Sequence, residues 1–325
     1  MAQSELLHQA VERTVLTGHE GRSGAGLEHV RLADGTSYVV KRVTPASDVT
    51  LTLTGGTVPV EYLLWQNGAL ERLPPGVSHA VVDGWVEGDT TVLVMDDLRD
   101  QVLTWESRLS TEETDWVLAR VAAMHRRFLG SPPEETVPLD RLLTLFAPQR
   151  IRGLADEGHE LAVLARRGWE IFAQTVPADV AGPVLVLLDD PTRLVTALGE
   201  GPVTLVHGDL ATVNIARDGD TLVLLDWTLA TAAPGALDIA FLLARCSSVL
   251  EPSREHVLRT YAGLAGPAYD RRSVRLALLA GLMWLGWNKA LDAAEHPDPA
   301  KRERERRDLE WWVRKARTAL ECGAL

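Results

Sequence analysis

The segment from 203 to 227 constrains the fold of this 325-residue chain more than any other part of its sequence. It carries the pattern H-x-D-L-x-x-x-N, which contains His207, Asp209 and Asn214, and it ends just after Asp226. Each of these residues alone is a common turn or capping residue. Together, on a short β-rich island between helical segments, they predict a site built from loop and strand ends.

A hairpin is predicted within this segment. Two apolar strands, 213–217 and 221–225, are separated by an Asp-Gly turn, which is a strong hairpin signal. Closing the hairpin brings Asn214 almost opposite Asp226. Amide and carboxylate oxygens suit Mg²⁺, which takes few ligands from protein and completes its shell with water and phosphate. We therefore interpret Asn214 and Asp226 as metal ligands.

Asp209 lies five residues before Asn214, on the loop that leads into the hairpin. At that position it can accept the proton of a hydroxyl group that attacks a phosphate. Asp209, Asn214 and Asp226 are accordingly the candidate catalytic residues. Their order and spacing match the catalytic loop and metal-binding aspartate of kinases.

The remaining sequence changes character along its length. Up to residue 98, alternating apolar residues and turn signals predict a small, mostly antiparallel sheet with one helix inserted from 60 to 73. Helical patterns then dominate, beginning with a capping box formed by Ser110 and Glu113. We predict an α+β chain with lobes at 1–98 and 99–325. Further helices are predicted over 139–175, 187–199, 236–246, 253–264, 270–291 and 301–320.

The pattern over 207–214, followed by Leu225–Trp227, resembles the aminoglycoside phosphotransferase and choline kinase superfamily. Gly208, where protein kinases usually carry arginine, points to the branch that acts on small molecules. In the similar family segment after the metal aspartate, an aspartate, here Asp238, opens a helix and braces the catalytic loop. His125 ends a helix that also looks like one of the family, and we interpret it as structural. The resemblance implies a two-lobed protein-kinase-like fold, with a small β-rich N-lobe and a larger α-helical C-lobe.

By the same resemblance, the N-lobe binds ATP together with Mg²⁺. Lys41 follows a short strand and would pair with the α- and β-phosphates, while Glu61, 20 residues later, would hold the lysine in place. The strand that leads into the hinge between the lobes would meet the adenine through backbone groups. We place that contact at Met95, Asp96 and Leu98.

A glycine-rich segment, 18–26, precedes Lys41 at the position of a phosphate-covering loop. Glycines let backbone N–H groups approach phosphate, and Ser23 and Gly24 are the candidate contacts. The order G-R-S-G-A-G departs from the G-x-G-x-x-G of protein kinases. A flexible turn without phosphate contact remains the alternative.

The leading interpretation is a phosphotransferase that moves the γ-phosphate of ATP to a hydroxyl of a small molecule, an antibiotic or related natural product. A composition rich in Ala, Arg, Gly and Leu suggests a bacterium of high GC content, in which resistance kinases of this family are frequent. One alternative is a small-metabolite kinase of the choline, homoserine or sugar type. Another is a non-catalytic nucleotide-binding pseudokinase, against which the presence of Lys41, Asp209, Asn214 and Asp226 counts.

Composition limits the partners and the location. The 45 acidic and 33 basic residues give a formal net charge of −12, which argues against nucleic acid as a partner. Cys246 and Cys322 are too few for a disulfide framework. The first residues lack the pattern of a secretory signal, and the longest apolar run, 276–287, is shorter than the ~20 residues of a membrane span. We expect a cytoplasmic monomer or homodimer that binds a small-molecule hydroxyl acceptor and no membrane.

Acceptor choice is predicted to reside in 139–198 and in 270–291, on the helical side of the cleft. Acids on that wall would select a cationic acceptor, whereas aromatic residues with few acids would select a neutral or anionic ring system. The candidate side chains are Asp156, Glu157, Glu160, Asp189, Asp190, Asp270, Asp292, Trp169, Trp284 and Trp287.

Overall fold

An antiparallel sheet with short helices forms the first part of the chain. The computed structural model describes residues 5–16, 24–321 and 323–325. The elements of this part are α1 (Glu5–His8), β1 (Ala10–Val15), β2 (Gly26–Leu32), β3 (Ser37–Val43), α2 (Val49–Thr54), α3 (Val60–Gln66), β4 (Val77–His79), β5 (Val81–Glu87) and β6 (Thr90–Asp96). Five strands form one sheet in the order β1-β2-β3-β6-β5, and every neighbouring pair is antiparallel.

Turn chemistry and the alternation of side chains explain this sheet. Gly35 has a φ of 91° in the turn between β2 and β3, where the Asp34 carboxylate accepts the backbone N–H of Thr36. Lys41 pairs with Leu93 across β3 and β6. Because successive side chains of a strand point to opposite faces, Lys41 emerges on the same face as the fully buried Leu93, which α3 covers.

Helices dominate the rest of the chain, so the expected α+β fold is confirmed. The capping box at Ser110 and Glu113 is present at the start of the first long helix. The elements are α4 (Thr111–Arg127), α5 (Leu139–Leu143), α6 (Pro148–Asp156), α7 (Glu160–Thr175), α8 (Ala178–Asp189), α9 (Thr192–Gly199), β7 (Val203–Val206), β8 (Ile215–Asp218), β9 (Thr221–Leu224), β10 (Thr231–Pro234), α10 (Ala236–Cys246), α11 (Arg254–Leu264), α12 (Arg271–Glu295) and α13 (Pro299–Glu321).

Proline and glycine divide the region from 139 to 199 more finely than the apolar pattern predicts. Pro148 opens α6 at its first turn, and Gly158, with a φ of 82°, lies between α6 and α7. The pattern does not predict α8 as a separate helix, because Pro183 lies inside it. The predicted helix over 187–199 covers the end of α8 and all of α9 instead.

Short strands within the helical part carry the segment from 203 to 227. β7 pairs with β10, and β8 and β9 form the predicted hairpin, preceded by a 3₁₀ turn over Thr212–Asn214. β9 also pairs in parallel with β4 from the first part of the chain, a connection that the sequence pattern does not predict. The division into 1–98 and 99–325 stays a prediction, since this pairing crosses it.

Helix α12 lies at the centre of the helical part and packs against α7, α10 and α13. Phe241 of α10 and Trp284 of α12 are stacked there, with ring centroids 4.2 Å apart. None of the helices in the described ranges is long and apolar enough to cross a membrane.

Candidate active site

A cavity of about 1040 Å³ lies between the sheet and the helical part of the chain. Elements from both sides line it, which is the arrangement expected of a cleft between two lobes. The predicted site residues that line it are Lys41, Met95, Asp96, Leu98, Asp209, Asn214 and Asp226. Glu61 is buried directly behind Lys41.

Lys41 joins the two sides of this cavity through ion pairs. Its Nζ lies 2.7 Å from Glu61 Oε2 and 2.8 Å from Asp226 Oδ1. Burial lowers the pKa of the lysine, but the carboxylates of Asp226 and Glu61 outweigh burial and raise the pKa well above its usual value. The pairing with Glu61 is therefore present as predicted, and Asp226 is an additional partner.

Asp226 has a left-handed backbone conformation, with φ 60° and ψ 66°. It is the one non-glycine residue with positive φ in the described part of the chain, and such conformations cost about 1–3 kcal/mol and cluster at functional sites. The Thr228 hydroxyl donates to its Oδ1 at 2.6 Å. Burial raises the pKa of Asp226, but the Lys41 ammonium and the hydrogen bonds from Lys41 and Thr228 lower it to about 2. The carboxylate is consequently ionised at neutral pH.

The catalytic-loop candidates contact each other directly. The Asn214 side-chain amide donates to the backbone carbonyl of Asp209 at 2.8 Å and to its Oδ2 at 2.9 Å. The backbone N–H of Leu225 donates to the carbonyl of Asn214 at 2.9 Å, which closes the hairpin next to Asp226. The structure thus brings Asp209, Asn214 and Asp226 together at one end of the β8–β9 hairpin.

Gly208 and His207 explain why the loop takes this shape. Gly208 has a φ of 79°, and a Cβ there would lie 2.0 Å from the carbonyl oxygen of Leu229, so only glycine fits. Burial lowers the pKa of His207 and favours the neutral ring. Its Nε2 lies 3.0 Å from the Leu225 carbonyl, and its Nδ1 accepts the backbone N–H of Asp209 at 3.3 Å. The histidine therefore ties the loop to the end of β9.

Asp238 holds the same loop from the helical side. Its carboxylate accepts the backbone N–H groups of His207 and Gly208, both at 2.9 Å. It also lies 3.0 Å from His125 Nε2, and Nδ1 of that ring lies 2.9 Å from the Tyr261 hydroxyl. All five residues of this network are buried, so it fits the predicted bracing role of Asp238 and the structural interpretation of His125.

Asn214 and Asp226 form a donor set that suits Mg²⁺. Both line the cavity, and they offer one amide oxygen and one ionised carboxylate, which are hard oxygen ligands. The Asn214 amide nitrogen is occupied by Asp209, which leaves its oxygen for a cation. No group of three or more His, Cys, Asp or Glu side chains that could hold a metal is found within the described ranges. With Asn214 and Asp226 as its protein ligands, the site fits a Mg²⁺ ion that is bound mainly through phosphate.

Arg245 is a cavity residue that sequence reasoning missed. Its guanidinium forms an ion pair with Asp209 Oδ1 and lies over the rings of Trp105, at 4.8 Å, and Trp284, at 5.8 Å. Burial lowers the pKa of Arg245 to about 10, so it remains charged at neutral pH. The available signal was Arg245 itself, the one basic residue of helix α10, which is apolar apart from it and Asp238.

The phosphate-covering segment is only partly described. Ser23, like Gly18 and Gly21, lies outside the described residues. Gly24 has a φ of 96°, and a Cβ there would lie 2.1 Å from the carbonyl oxygen of Ser47. Gly24 is absent from the cavity lining, whereas its neighbour Ala25 belongs to it. The role of Gly24 in phosphate contact stays a prediction.

The side of the cavity that is lined by the helical part of the chain is here called the helical wall. It is less acidic than the sequence analysis considered. Among the predicted acids only Asp292 lines the cavity, whereas Asp156, for example, pairs with Arg166 on the surface. Trp284 and Trp287 line the cavity, and both are also packed in the core. The prediction for Trp169 is wrong, because this residue packs in the core and donates its indole N–H to the carbonyl of Phe146 at 2.7 Å.

Solved structures with this fold include small-molecule kinases. An aminoglycoside phosphotransferase from Alicyclobacillus acidocaldarius matches with a TM-score of 0.51 and 18% identity, over 97% of this chain and 93% of that one. Choline kinase LicA from Streptococcus pneumoniae matches with a TM-score of 0.54 and 12% identity, over 96% and 95%. LicA in complex with AMP matches with a TM-score of 0.53 and 14% identity, over 95% and 96%. At these identities the likeness establishes the fold alone, which is the predicted two-lobed one.

Family membership rests on the sequence itself. No curated protein matches the chain at a significant level. The model of the phosphotransferase enzyme family, however, matches residues 23–276, a span that holds the end of the glycine-rich segment, Lys41, the catalytic loop and Asp226. Because this match covers well over half of the sequence and includes Lys41, Asp209, Asn214 and Asp226, the chain belongs to the phosphotransferase enzyme family.

Proposed function

We propose that this protein transfers the γ-phosphoryl group of ATP to a hydroxyl group of a small molecule. The observation that carries the proposal is the convergence of Lys41, Asp209, Asn214 and Asp226 on one cavity. A cation, a base and two oxygen ligands are the parts that phosphoryl transfer requires from a protein. Their presence argues against a non-catalytic nucleotide-binding protein.

Asp209 acts as the base in this scheme. The acceptor hydroxyl oxygen forms a bond to the γ-phosphorus, the bond from that phosphorus to the bridging oxygen of ADP breaks, and the hydroxyl proton passes to Asp209. Asn214 holds the Asp209 carboxylate by its Oδ2 and by the backbone carbonyl. The base is thereby oriented before an acceptor arrives, which lowers the entropic cost of the reactive arrangement.

Lys41 and the hairpin end bind the phosphates. Lys41 lies between Glu61 and Asp226, so a nucleotide replaces Asp226 as one partner of the ammonium while Glu61 retains it. When bound at Asn214 and Asp226, Mg²⁺ would supply charge neutralisation for the phosphate oxygens. The pKa of Asp226, about 2, keeps that carboxylate ready for the cation at neutral pH.

The adenine is assigned to the apolar end of the cavity. The lining there is apolar, with Leu27, Val39 and Met95 from strands of the sheet, Ala80 from between β4 and β5, and Leu225 from the end of the β8–β9 hairpin. A flat base gains most from such a slot through burial of apolar surface. The AMP complex of LicA, a protein of the same fold, supports a nucleotide in this fold.

We infer that the acceptor is an antibiotic or a related natural product, as in a resistance-type kinase. The alternative of a small-metabolite kinase remains, since the fold is also that of choline kinase LicA. The helical wall bears three tryptophans, Trp105, Trp284 and Trp287, which suit an acceptor with a ring system rather than a small aliphatic alcohol.

The test is an ADP-release screen with MgATP against hydroxylated compounds, covering aminoglycosides, nucleoside and peptide antibiotics, choline, homoserine and simple sugars. We expect release that depends on one acceptor class. In the Asp209→Asn control, kcat should fall by about 10²–10⁴, the range for a positioned general base. An acceptor-independent rate that this variant leaves unchanged would contradict the proposal.

A further inference from the structure

The charge of the helical wall separates acceptor classes. Beyond the catalytic residues, the charged side chains that line this side are Arg245, Lys289, Lys301, Asp292 and Glu305. Lys289 is already neutralised, since its Nζ lies 3.0 Å from Glu305 and 2.7 Å from Asp308. A polycation would need a surplus of free carboxylates here. The wall instead combines basic groups with tryptophan faces.

Arg245 is the charged residue of the helical wall that contacts Asp209, the proposed base. Its guanidinium pairs with Asp209 Oδ1, and only 19% of its side chain is exposed. Arginine carries five N–H donors, so the ion pair with Asp209 leaves further donors for a ligand. The rings of Trp105 and Trp284 lie on its flanks and both line the cavity. A planar oxyanion next to an apolar ring complements this arrangement.

Proton transfer to Asp209 during the reaction changes the charge balance around Arg245. When Asp209 accepts the hydroxyl proton, its carboxylate becomes neutral and Arg245 loses the partner that balances its charge. A cation left without a partner in a largely buried, apolar wall is costly. An acceptor that brings its own negative charge to Arg245 removes this cost. A positively charged acceptor increases it.

We propose that the acceptor is a hydroxylated compound with an apolar ring and a carboxylate or other oxyanion, and that Arg245 binds this oxyanion beside Asp209. The inference rests on the proposed function, because it concerns the acceptor of that same site. It excludes polycationic aminoglycosides and choline as preferred acceptors. It assigns Arg245 as a specificity-determining residue, with Asp209 as the base.

Three matched probes test the charge preference: 4-(hydroxymethyl)benzoate, its amide, and 4-(hydroxymethyl)benzylamine. They share the ring and the hydroxymethyl group, and their para substituents are an anionic carboxylate, a neutral carboxamide and a cationic aminomethyl group. Binding is measured with MgADP present, through quenching of tryptophan fluorescence, because Trp105, Trp284 and Trp287 line the cavity. We expect the acid to bind at least about tenfold more tightly than the amine, the range for one charge-assisted hydrogen bond.

Two arginine variants locate the effect. Arg245→Gln should weaken binding of the acid about tenfold and leave the amide nearly unchanged, since only the charge-assisted contact is lost. Arg259→Gln makes the same change in net charge on the exposed surface of α11, away from the cavity, and should leave all three affinities unchanged. The wild-type comparison needs no variant, so it remains decisive if Arg245→Gln is unstable.

The outcomes separate this inference from the proposed function. An amine that binds as tightly as the acid, acid binding unaffected by Arg245→Gln, or no binding of any probe up to millimolar concentration overturns the inference. If aminoglycosides are phosphorylated in the ADP-release assay and hydroxylated acids are not, the proposed function stands and the inference fails. If the acid binds through Arg245 but no compound is phosphorylated, the proposed function fails while the anion site at Arg245 holds.

Discussion

Lys41, between two carboxylates, is one of the contacts that join the two sides of the cleft. Its Nζ is 2.7 Å from Glu61 and 2.8 Å from Asp226, so the same ammonium touches a helix of the sheet region and the end of the hairpin. Glu61 also accepts a weak hydrogen bond from the backbone N–H of Trp227 at 3.4 Å. Glu61 therefore acts on the hairpin both through Lys41 and directly.

Lys41→Met should weaken the productive nucleotide complex, with kcat/KM for ATP reduced about 10–100-fold, because one charge-assisted contact to phosphate is lost. Glu61→Gln should have a smaller effect in the same direction, since the lysine keeps a hydrogen-bond partner without its charge. Steady-state kinetics with ATP varied measure both, and thermal unfolding of each variant controls for folding. If Lys41→Met strongly reduces kcat/KM for ATP and Glu61→Gln leaves it unchanged, the ion pair between these two residues has no role in activity.

The pKa of Asp226 predicts how its contribution to stability depends on pH. A folded-state pKa of about 2, below the ordinary value of 3.8, means that the ionised group stabilises the folded protein above about pH 4 and that this contribution is lost as the pH falls towards 2. The amount by which the Tm of the wild type exceeds that of Asp226→Asn should therefore shrink as the pH falls from about 4 towards 2. The Asp226 side chain is 42% exposed, so solvent screening keeps the effect small. A difference that widens on acidification would contradict this assignment.

Whether a site residue could be predicted depends on how close in sequence the residues that it contacts are. Asp209, Asn214 and Asp226 could be predicted because spacing along one loop and one hairpin is enough to bring them together. Arg245 could not, because its partner Asp209 lies 36 positions earlier and only the packing of α10 against the catalytic loop unites them. Long-range contacts of this kind leave no periodic trace in a sequence.

The contact between α7 and α12 depends on a glycine. A Cβ at Gly168 would lie 2.3 Å from the carbonyl oxygen of Trp287, which is backbone and cannot move aside as a flexible side chain could. Gly168→Ala should therefore destabilise the protein by about 1–3 kcal/mol, the usual cost of overpacking. Gly153 on α6 is the matched control, because nothing lies within 4 Å of a Cβ there.

Gly153→Ala should stabilise the protein by about 0.4–1 kcal/mol, since alanine restricts the unfolded chain and fits a helix. Urea denaturation of both variants measures the two changes in the free energy of unfolding. Opposite signs are expected. Equal effects of the two substitutions would mean that the α7–α12 approach is looser than the structure has it.

Helices and strands were predictable where capping and turn residues mark their ends. The capping box at Ser110 places the start of α4, and the Asp-Gly turn places the β8–β9 hairpin. The parallel pairing of β4 with β9 was not predictable, because β4 is a three-residue strand whose partner lies far along the chain. Its sequence, Val77–His79, carries no alternation long enough to read.

The proposed placement of ATP on the sheet side of the cleft and of the acceptor on the helical side can be tested with one variant on each side. Trp105 lines the helical side and is 36% exposed, so Trp105→Leu should fold normally. It should raise KM for the acceptor found in the ADP-release screen and leave KM for ATP nearly constant. Leu27→Ala, on the sheet side, should do the reverse. If both variants change the same KM, the placement of the acceptor against the helical wall is wrong.

The parallel ladder between β4 and β9 bears on whether either part of the chain is an autonomous folding unit. The segment after the hinge pairs with the same hairpin from its other side, through the bridge between Val102 and Ala216. The hairpin is therefore flanked by a strand from before residue 98 and by a bridge residue from after it. Separating the chain at residue 98 would remove β4 from β9 and expose unpaired backbone groups on both fragments. Heating or denaturant should accordingly unfold this enzyme in a single cooperative transition, rather than lobe after lobe.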